Sequence, residues 1–449
     1  MQRCGFLLII VFLPCFAAGS IDLALAADQP TAKEKIINIL HRLQFCTSEA
    51  KAQADLVPSE GREFFLRALE ATSQRRYNDS LALLDDLLKM DQKCTLGYLW
   101  KGYCYNSLYK KAAALQEFHK GLQIAPNEAR LYDGLGSLMY REGQLDQALK
   151  YCQKALSLDP KDTCARMNIA SIQKKRTQFD GAMEQLEAAR SICPEDEWIQ
   201  IAMGNLLLEK AKSMSLESTI RNSLKDDAGT GESDPRRWRA DVMKQAMRRY
   251  PAQNADLMNQ ATRHYDEAIR LAPQQLAPYL AKGSYLEKMG KYTEAMEQYR
   301  MALNVDKNSA EPNIYIGNLL VTQKRTDEAL KYFDEAIKTD SASADGHACK
   351  AACYAAMDKS DEANAEYRKA ISIEPTNPSY MHALALYMRK KGRLKEAVEL
   401  NREVLRMAPN NFGYHMELAR CYREIGNEKA AQAEEDLGGK SFRNIMGDD

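Results

Sequence analysis

The sequence has 449 residues, with 62 basic and 62 acidic side chains and a formal net charge of zero. A hydrophobic share of 45% fits a folded soluble chain rather than a disordered one, and the charge balance argues against a protein whose main task is coating nucleic acid, which needs surplus Lys and Arg. Fourteen prolines, 23 glycines and 11 cysteines exclude a collagen-like chain, a linker and a disulfide-built miniprotein.

Residues 1–26 read as a secretory signal peptide. Arg3 precedes an apolar run over 5–18, and Ala24 and Ala26 stand at the two small-residue positions a signal peptidase reads. The run is shorter than the roughly 20 residues a bilayer span needs; an uncleaved membrane anchor is the competing reading. The expected location is exported, either periplasmic or secreted, or the endoplasmic reticulum lumen in a eukaryote. Residues 27–60 contain an expected capping helix at 31–45, carried by Ile36, Ile37, Ile39, Leu40 and Leu43.

From residue 61 a period of 34 governs the chain. Pro126, Pro160 and Pro194 are 34 apart, as are Pro375 and Pro409. Small residues recur in step (Gly136, Ala170, Gly204, Gly283, Gly317, Ala351, Ala385, Ala419), followed by Ala148, Ala182, Ala295, Ala329, Ala363, Ala397 and Ala431. Aromatics recur at Phe118, Tyr299, Phe333 and Tyr367, and Gly143, Gly290, Gly392 and Gly426 mark turns. Each unit reads as helix, short turn, helix and stop. Proline cannot continue a helix, small residues sit where two helices approach closely, and a large ring fills the space left.

This pattern resembles the tetratricopeptide repeat family. The resemblance implies an all-α, right-handed α-solenoid of about nine to ten helix-turn-helix repeats. Units are placed at 61–94, 95–128, 129–162, 163–196, 197–275, 276–309, 310–343, 344–377 and 378–411, with a polar capping unit at 412–437 and a flexible tail at 438–449. The unit 197–275 carries 45 extra residues between its two helices. The chain thus divides into repeats at 61–210, an insertion at 211–255, and repeats with a cap at 256–437. In the insertion, 211–225 and 236–250 are helix-compatible and 226–234 is acidic and rich in Gly and Ser. A projecting helical hairpin, reaching about 22 Å for 15 residues per arm, and a disordered loop are both open.

No motif points to catalysis. The six histidines form no metalloprotease or haem-attachment spacing, and no Gly-x-Ser-x-Gly elbow is present. The repeats use nearly the whole chain, so no enzyme activity, cofactor or metal is expected. His347, Cys349 and Cys353 are the best metal candidates. Cys353, Cys104 and Cys421 share the tenth repeat position, where cysteine acts as a small hydrophobe, and this core reading is preferred. Cys94 and Cys104 are near enough in sequence to pair.

In the resembled family, the first helices line a groove that grips partner segments through the second, fifth, sixth, ninth, twelfth and thirteenth positions of each unit. Here those positions imply one basic cluster of Arg130, Tyr140, Arg141, Lys174 and Lys175, and another of Arg389, Lys390, Arg420 and Arg423 beside His382. Between them Trp198, Ile201, Leu280, Ile314, Tyr315, Ala348, Ala352, Ala355 and Ala356 make an apolar floor. Asn205 and Asn318 have Ile201 and Ile314 where members that clamp a terminal carboxylate carry Lys. In the insertion, Arg236, Arg237, Arg239, Lys244, Arg248 and Arg249 against Asp241 leave a charge of +5, interleaved with Trp238, Val242, Met243 and Met247. That arm is expected to dock on a partner or an anionic envelope surface, or to pack back on its own repeats. The expected partners are proteins, not nucleic acid, with membrane contact only through the signal segment or the basic insertion. The expected role is an exported scaffold in assembly of a cell-envelope, secretion or polysaccharide-export complex; the alternative is an extracytoplasmic co-chaperone.

Overall fold

A computed structural model describes residues 59–226 and 254–446, with Ile36, Gln53 and Val57. After a short 3-10 turn at Ser59–Gly61, the described residues form twenty α-helices and no strand. The first ten are α1 (Arg62–Ser73), α2 (Tyr77–Met90), α3 (Thr95–Ser107), α4 (Lys111–Ile124), α5 (Ala129–Arg141), α6 (Leu145–Leu158), α7 (Thr163–Lys175), α8 (Phe179–Ile192), α9 (Glu197–Asp226) and α10 (Ala255–Leu271). The others are α11 (Leu276–Lys288), α12 (Tyr292–Val305), α13 (Ala310–Thr322), α14 (Thr326–Thr339), α15 (Ala344–Ala356), α16 (Ser360–Ile373), α17 (Pro378–Lys390), α18 (Leu394–Met407), α19 (Phe412–Ile425) and α20 (Glu428–Met446). Odd-numbered helices are the first of each repeat and even-numbered helices the second. Two compact units result: Met1–Ala165 with Leu303–Asp449, and Arg166–Ala302.

In the first unit the recurring alanines Ala148, Ala155, Ala329, Ala336, Ala363, Ala370, Ala397 and Ala431 are fully buried. The glycines of the first helices let the rings of the second come in. A Cβ on Gly102 would lie 2.3 Å from Cε1 of Phe118, and one on Gly317 would lie 2.4 Å from Cε1 of Phe333. Both rings are fully buried. Tyr367, which faces Ala351 instead, stays 6% exposed.

The second unit follows the same rule. Gly283 meets Tyr299 and Gly204 meets Tyr265. Gly102–Phe118, Gly283–Tyr299 and Gly317–Phe333 are each 16 residues apart; Gly204–Tyr265 is 61 apart, the same spacing enlarged by the 45 extra residues. α9 runs unbroken to Asp226, and Asn254 Nδ2 donates to the Ala211 carbonyl at 3.2 Å, where the shorter helices of other repeats end.

Turns within repeats need one residue in the left-handed region. Gly143, Gly290, Gly392 and Gly426 supply it at φ +73 to +86°, whereas Arg75, Tyr109, Thr177, Lys324 and Asp358 adopt it at the equivalent positions with φ +56 to +62°. A side chain there costs roughly 1–2 kcal/mol that glycine does not incur. The junctions between repeats are also periodic. Ser309, Ser343, Asn377 and Asn411, each 34 residues apart, accept backbone N–H groups at the starts of α13, α15, α17 and α19. Each cap satisfies an orphan donor and contributes about 1 kcal/mol.

One sequence expectation is corrected. The capping helix does not stop before Gly438-Gly439; α20 continues to Met446. Glycine weakens a helix interior by about 1 kcal/mol, but Gly438 sits against α19. A Cβ there would lie 3.1 Å from the Cβ of His415 and 3.4 Å from Cδ2 of Phe412. The glycine brings the two helices together, so packing supports the helix through it. Of the capping segment at 31–45, only Ile36 lies among the described residues; it is helical and fully buried.

Candidate interaction surface

In the first unit, Arg130, Arg141, Arg389 and Arg423, singled out on first helices, are half-buried and held by neighbours, whereas Arg420 is exposed. Arg130 Nε donates to Glu128 at 2.8 Å. Arg141 donates to the Asn106 carbonyl and lies over the Tyr109 ring, 5.0 Å from its centre. Tyr140 and Tyr315 are half-buried. The Arg389, Lys390, Arg420 and Arg423 cluster is brought together but threaded with acid. Arg389 pairs with buried Glu417 and, at 2.7 Å, with Glu424; Arg420 reaches Glu417 at 3.2 Å. Arg423 bridges Glu428 at 3.0 Å and Glu435 at 2.9 Å. Lys390 is exposed. Burial opposes the charge on Arg389, but Glu417 and Glu424 hold its guanidinium above the ordinary range. His382 contacts Asn401 at 3.4 Å, with its ring centre 4.7 Å from that of Tyr414, and burial lowers its pKa. This face is therefore a lattice of alternating charge rather than a positive end. Glu417 and Glu424 occupy the sixth and thirteenth positions of their repeat, so the periodicity that selected the arginines also reaches them.

In the second unit, Lys174 and Lys175 close α7, half-buried. Lys174 belongs to a larger cluster with Lys212 of α9 and Lys288 of α11. Burial lowers the Lys288 pKa, and repulsion from Lys212 and then Lys174 adds to this, against the opposing pull of Glu209 and Glu287. Lys212 Nζ lies 2.8 Å from Glu209. Sequence reasoning missed Lys288 although it stands at a thirteenth position, and missed Lys212 because α9 outruns the repeat. Trp198, Ile201 and Leu280 are buried, and in the first unit so is Ile314. These four belong to the packing rather than to an open floor. Ala352 and Ala356 are exposed. Arg236, Arg237, Trp238, Arg239, Lys244, Arg248 and Arg249 lie outside the described residues, as does the signal segment at 1–26.

The proposed ligand trio is built into the repeat core. His347 Nδ1 lies 2.6 Å from Glu366 Oε2, tying α15 to α16, and Cys353 is fully buried. His415 and Glu434 repeat that pairing at 2.7 Å. Among the described residues Cys94 and Cys104 are free thiols rather than a disulfide. Cys104 Sγ lies 3.4 Å from Ser80 Oγ and 3.6 Å from Thr72 Oγ1. Burial pushes the thiols of Cys353 and Cys421 up to about 11, which suppresses the reactive thiolate. Among the described residues no group of three His, Cys, Asp or Glu could hold a metal ion, and no helix is long and apolar enough to cross a membrane.

Three family profiles described as tetratricopeptide repeat match the chain, over residues 65–129, 139–206 and 234–410. No curated protein sequence matches significantly. Solved structures similar in fold include PilW, a type IV pilus biogenesis factor, at 21% identity and TM-score 0.36, covering 45% of this chain and 93% of that one. MamA from Desulfovibrio magneticus RS-1 is 17% identical at TM-score 0.32, covering 37% and 95%. YrrB, described as having an unusual peptide-binding site, is 18% identical at TM-score 0.29, covering 41% and 93%.

Proposed function

The chain belongs to the tetratricopeptide-repeat family, a family of protein-binding scaffolds, and from that premise we propose that it is an exported scaffold acting in assembly of a cell-envelope, secretion or polysaccharide-export complex. One observation carries the binding role. Charged side chains converge on the first helices of successive repeats: the half-buried Lys174 and Lys212 both lie near enough to the exposed Lys288 to repel its ammonium. Holding like charges together costs free energy, and an acidic partner segment would return it. Export rests on the apolar run at 5–18 followed by Ala24-Leu25-Ala26.

The test is a crosslinking pull-down from the native envelope fraction, comparing the natural chain with the double variant Lys174→Glu, Lys288→Glu. One stoichiometric partner, lost in the variant, is expected. Identical capture by both chains refutes the binding role assigned to these lysines. Suppressed aggregation of an unfolded model substrate without a stoichiometric partner favours the co-chaperone reading, to which exposed Ala352 and Ala356 would contribute a smooth apolar surface. Recovery of the chain in the cytoplasmic fraction refutes export.

A further inference from the structure

Within the first unit, the first repeat touches repeats some 270 residues later. Arg75, the left-handed residue between α1 and α2, places Nη1 3.4 Å from Asp345 Oδ2 and 3.6 Å from Glu374 Oε1. Tyr380 donates to the other Asp345 oxygen at 3.0 Å. Glu311, in the first turn of α13, and Tyr77, in the first turn of α2, complete the group that faces Arg75 and Asp345. A second bridge runs from Asn410 Nδ2 to the Glu142 carbonyl at 3.5 Å, beside the turn that follows α5. Both bridges are polar. The most extensive helix packing in this unit is otherwise between neighbours in sequence.

We infer that Arg75 with Glu311, Asp345 and Glu374 forms a reversible ionic latch that holds the first repeat against the repeats at 310–377. Several features fit a latch better than a permanent interface. Its strength is ionic, so it is screened by salt. The Arg75 guanidinium faces Asp345 and Glu374, and Glu311 lies within its electrostatic reach. Asp345 and Glu374 outweigh burial and hold Arg75 above its ordinary range, while burial pushes the Glu311 carboxyl up to about 7. The arginine is therefore the piece on which closure depends. Glu311 and Asp345 stand at the second position of their repeats, so on the scaffold reading above the closed latch also covers two groove residues. The latch itself does not depend on that reading.

The test uses the full chain with a fluorescent donor and acceptor introduced as unnatural amino acids at Asn78 and Ser372, both exposed, which leaves the cysteines untouched. High energy transfer is expected at 50 mM NaCl, with a clear fall in 1 M NaCl. Arg75→Glu and Glu374→Arg should each lower it at 50 mM, and the two together should restore it. Transfer that is insensitive to salt and to both single variants overturns the inference, as does a double variant no better than the singles. Far-UV circular dichroism separates opening from unfolding. If a single variant fails to fold, the salt titration of the natural chain decides alone.

Discussion

The contact between Gly317 and Phe333 gives the most demanding test of how the repeats are built. Replacing Gly317 by alanine in an ordinary helix gains about 1 kcal/mol. Here the new Cβ would stand 2.4 Å from Cε1 and 2.7 Å from Cζ of Phe333, where carbon atoms settle at about 3.5–4.0 Å. The ring is fully buried and cannot swing into solvent, so the overpacking cost of about 1–3 kcal/mol should fall in the upper part of its range. Gly317→Ala should therefore lose about 1–2 kcal/mol net. In a Phe333→Leu background the clash is gone, and the same substitution should become neutral or gain up to about 1 kcal/mol. The double-mutant cycle should show a coupling of roughly 1–3 kcal/mol. Urea denaturation followed by far-UV circular dichroism measures all four chains, with constant m-values as the check on cooperativity. Stabilisation by Gly317→Ala alone, or a coupling below about 0.5 kcal/mol, would refute the argument that glycine is there to admit the ring.

Lys324 holds a left-handed turn at φ +62°, so Lys324→Gly should raise the denaturation midpoint by the equivalent of a few tenths to about 1 kcal/mol, strain relief being partly offset by unfolded-chain entropy; a lower midpoint would contradict it. Burial pushes the Glu197 carboxyl from 4.5 up to about 7. A carboxyl raised in the folded state binds more protons there than when unfolded, so stability should fall as pH rises from about 4.5 to about 7. Glu197→Gln removes that dependence: its advantage over the natural chain should grow from pH 5 to pH 8.5, by up to roughly 3 kcal/mol, and equal midpoint shifts at the two pH values would exclude the effect.

The repeat fold is legible in the sequence because its determinants are local and periodic. Ala329 and Phe333 share a face of α14, and Pro375 stops α16 near its end. The 45-residue excess also follows from arithmetic, since Gly204 and Tyr265 keep their partnership across it. The candidate surface is less legible. Arg389 and Arg423 were found by position, but their effective charge is set by Glu417, Glu424, Glu428 and Glu435, which share the same periodicity with the opposite sign. The five non-glycine turn residues show that the turn is imposed by the helices on either side, not by a glycine signal. The Gly438-Gly439 pair misleads for the same reason. The Arg75–Asp345 bridge has no local signature, because its partners are 270 residues apart in sequence.

The helix α9 passes the point where every other repeat turns, yet Gly204 and Tyr265 still meet. Length can thus be added at the turn while the stacking faces remain as they were, which makes each turn an available attachment point. A reporter peptide or an additional binding element grafted at Gly290 or Gly392, where a side chain would meet nothing within 4 Å, should ride on the chain without renegotiating its core. On the same logic this lineage can acquire a new specificity by lengthening one turn, leaving the surfaces already committed to older contacts unchanged.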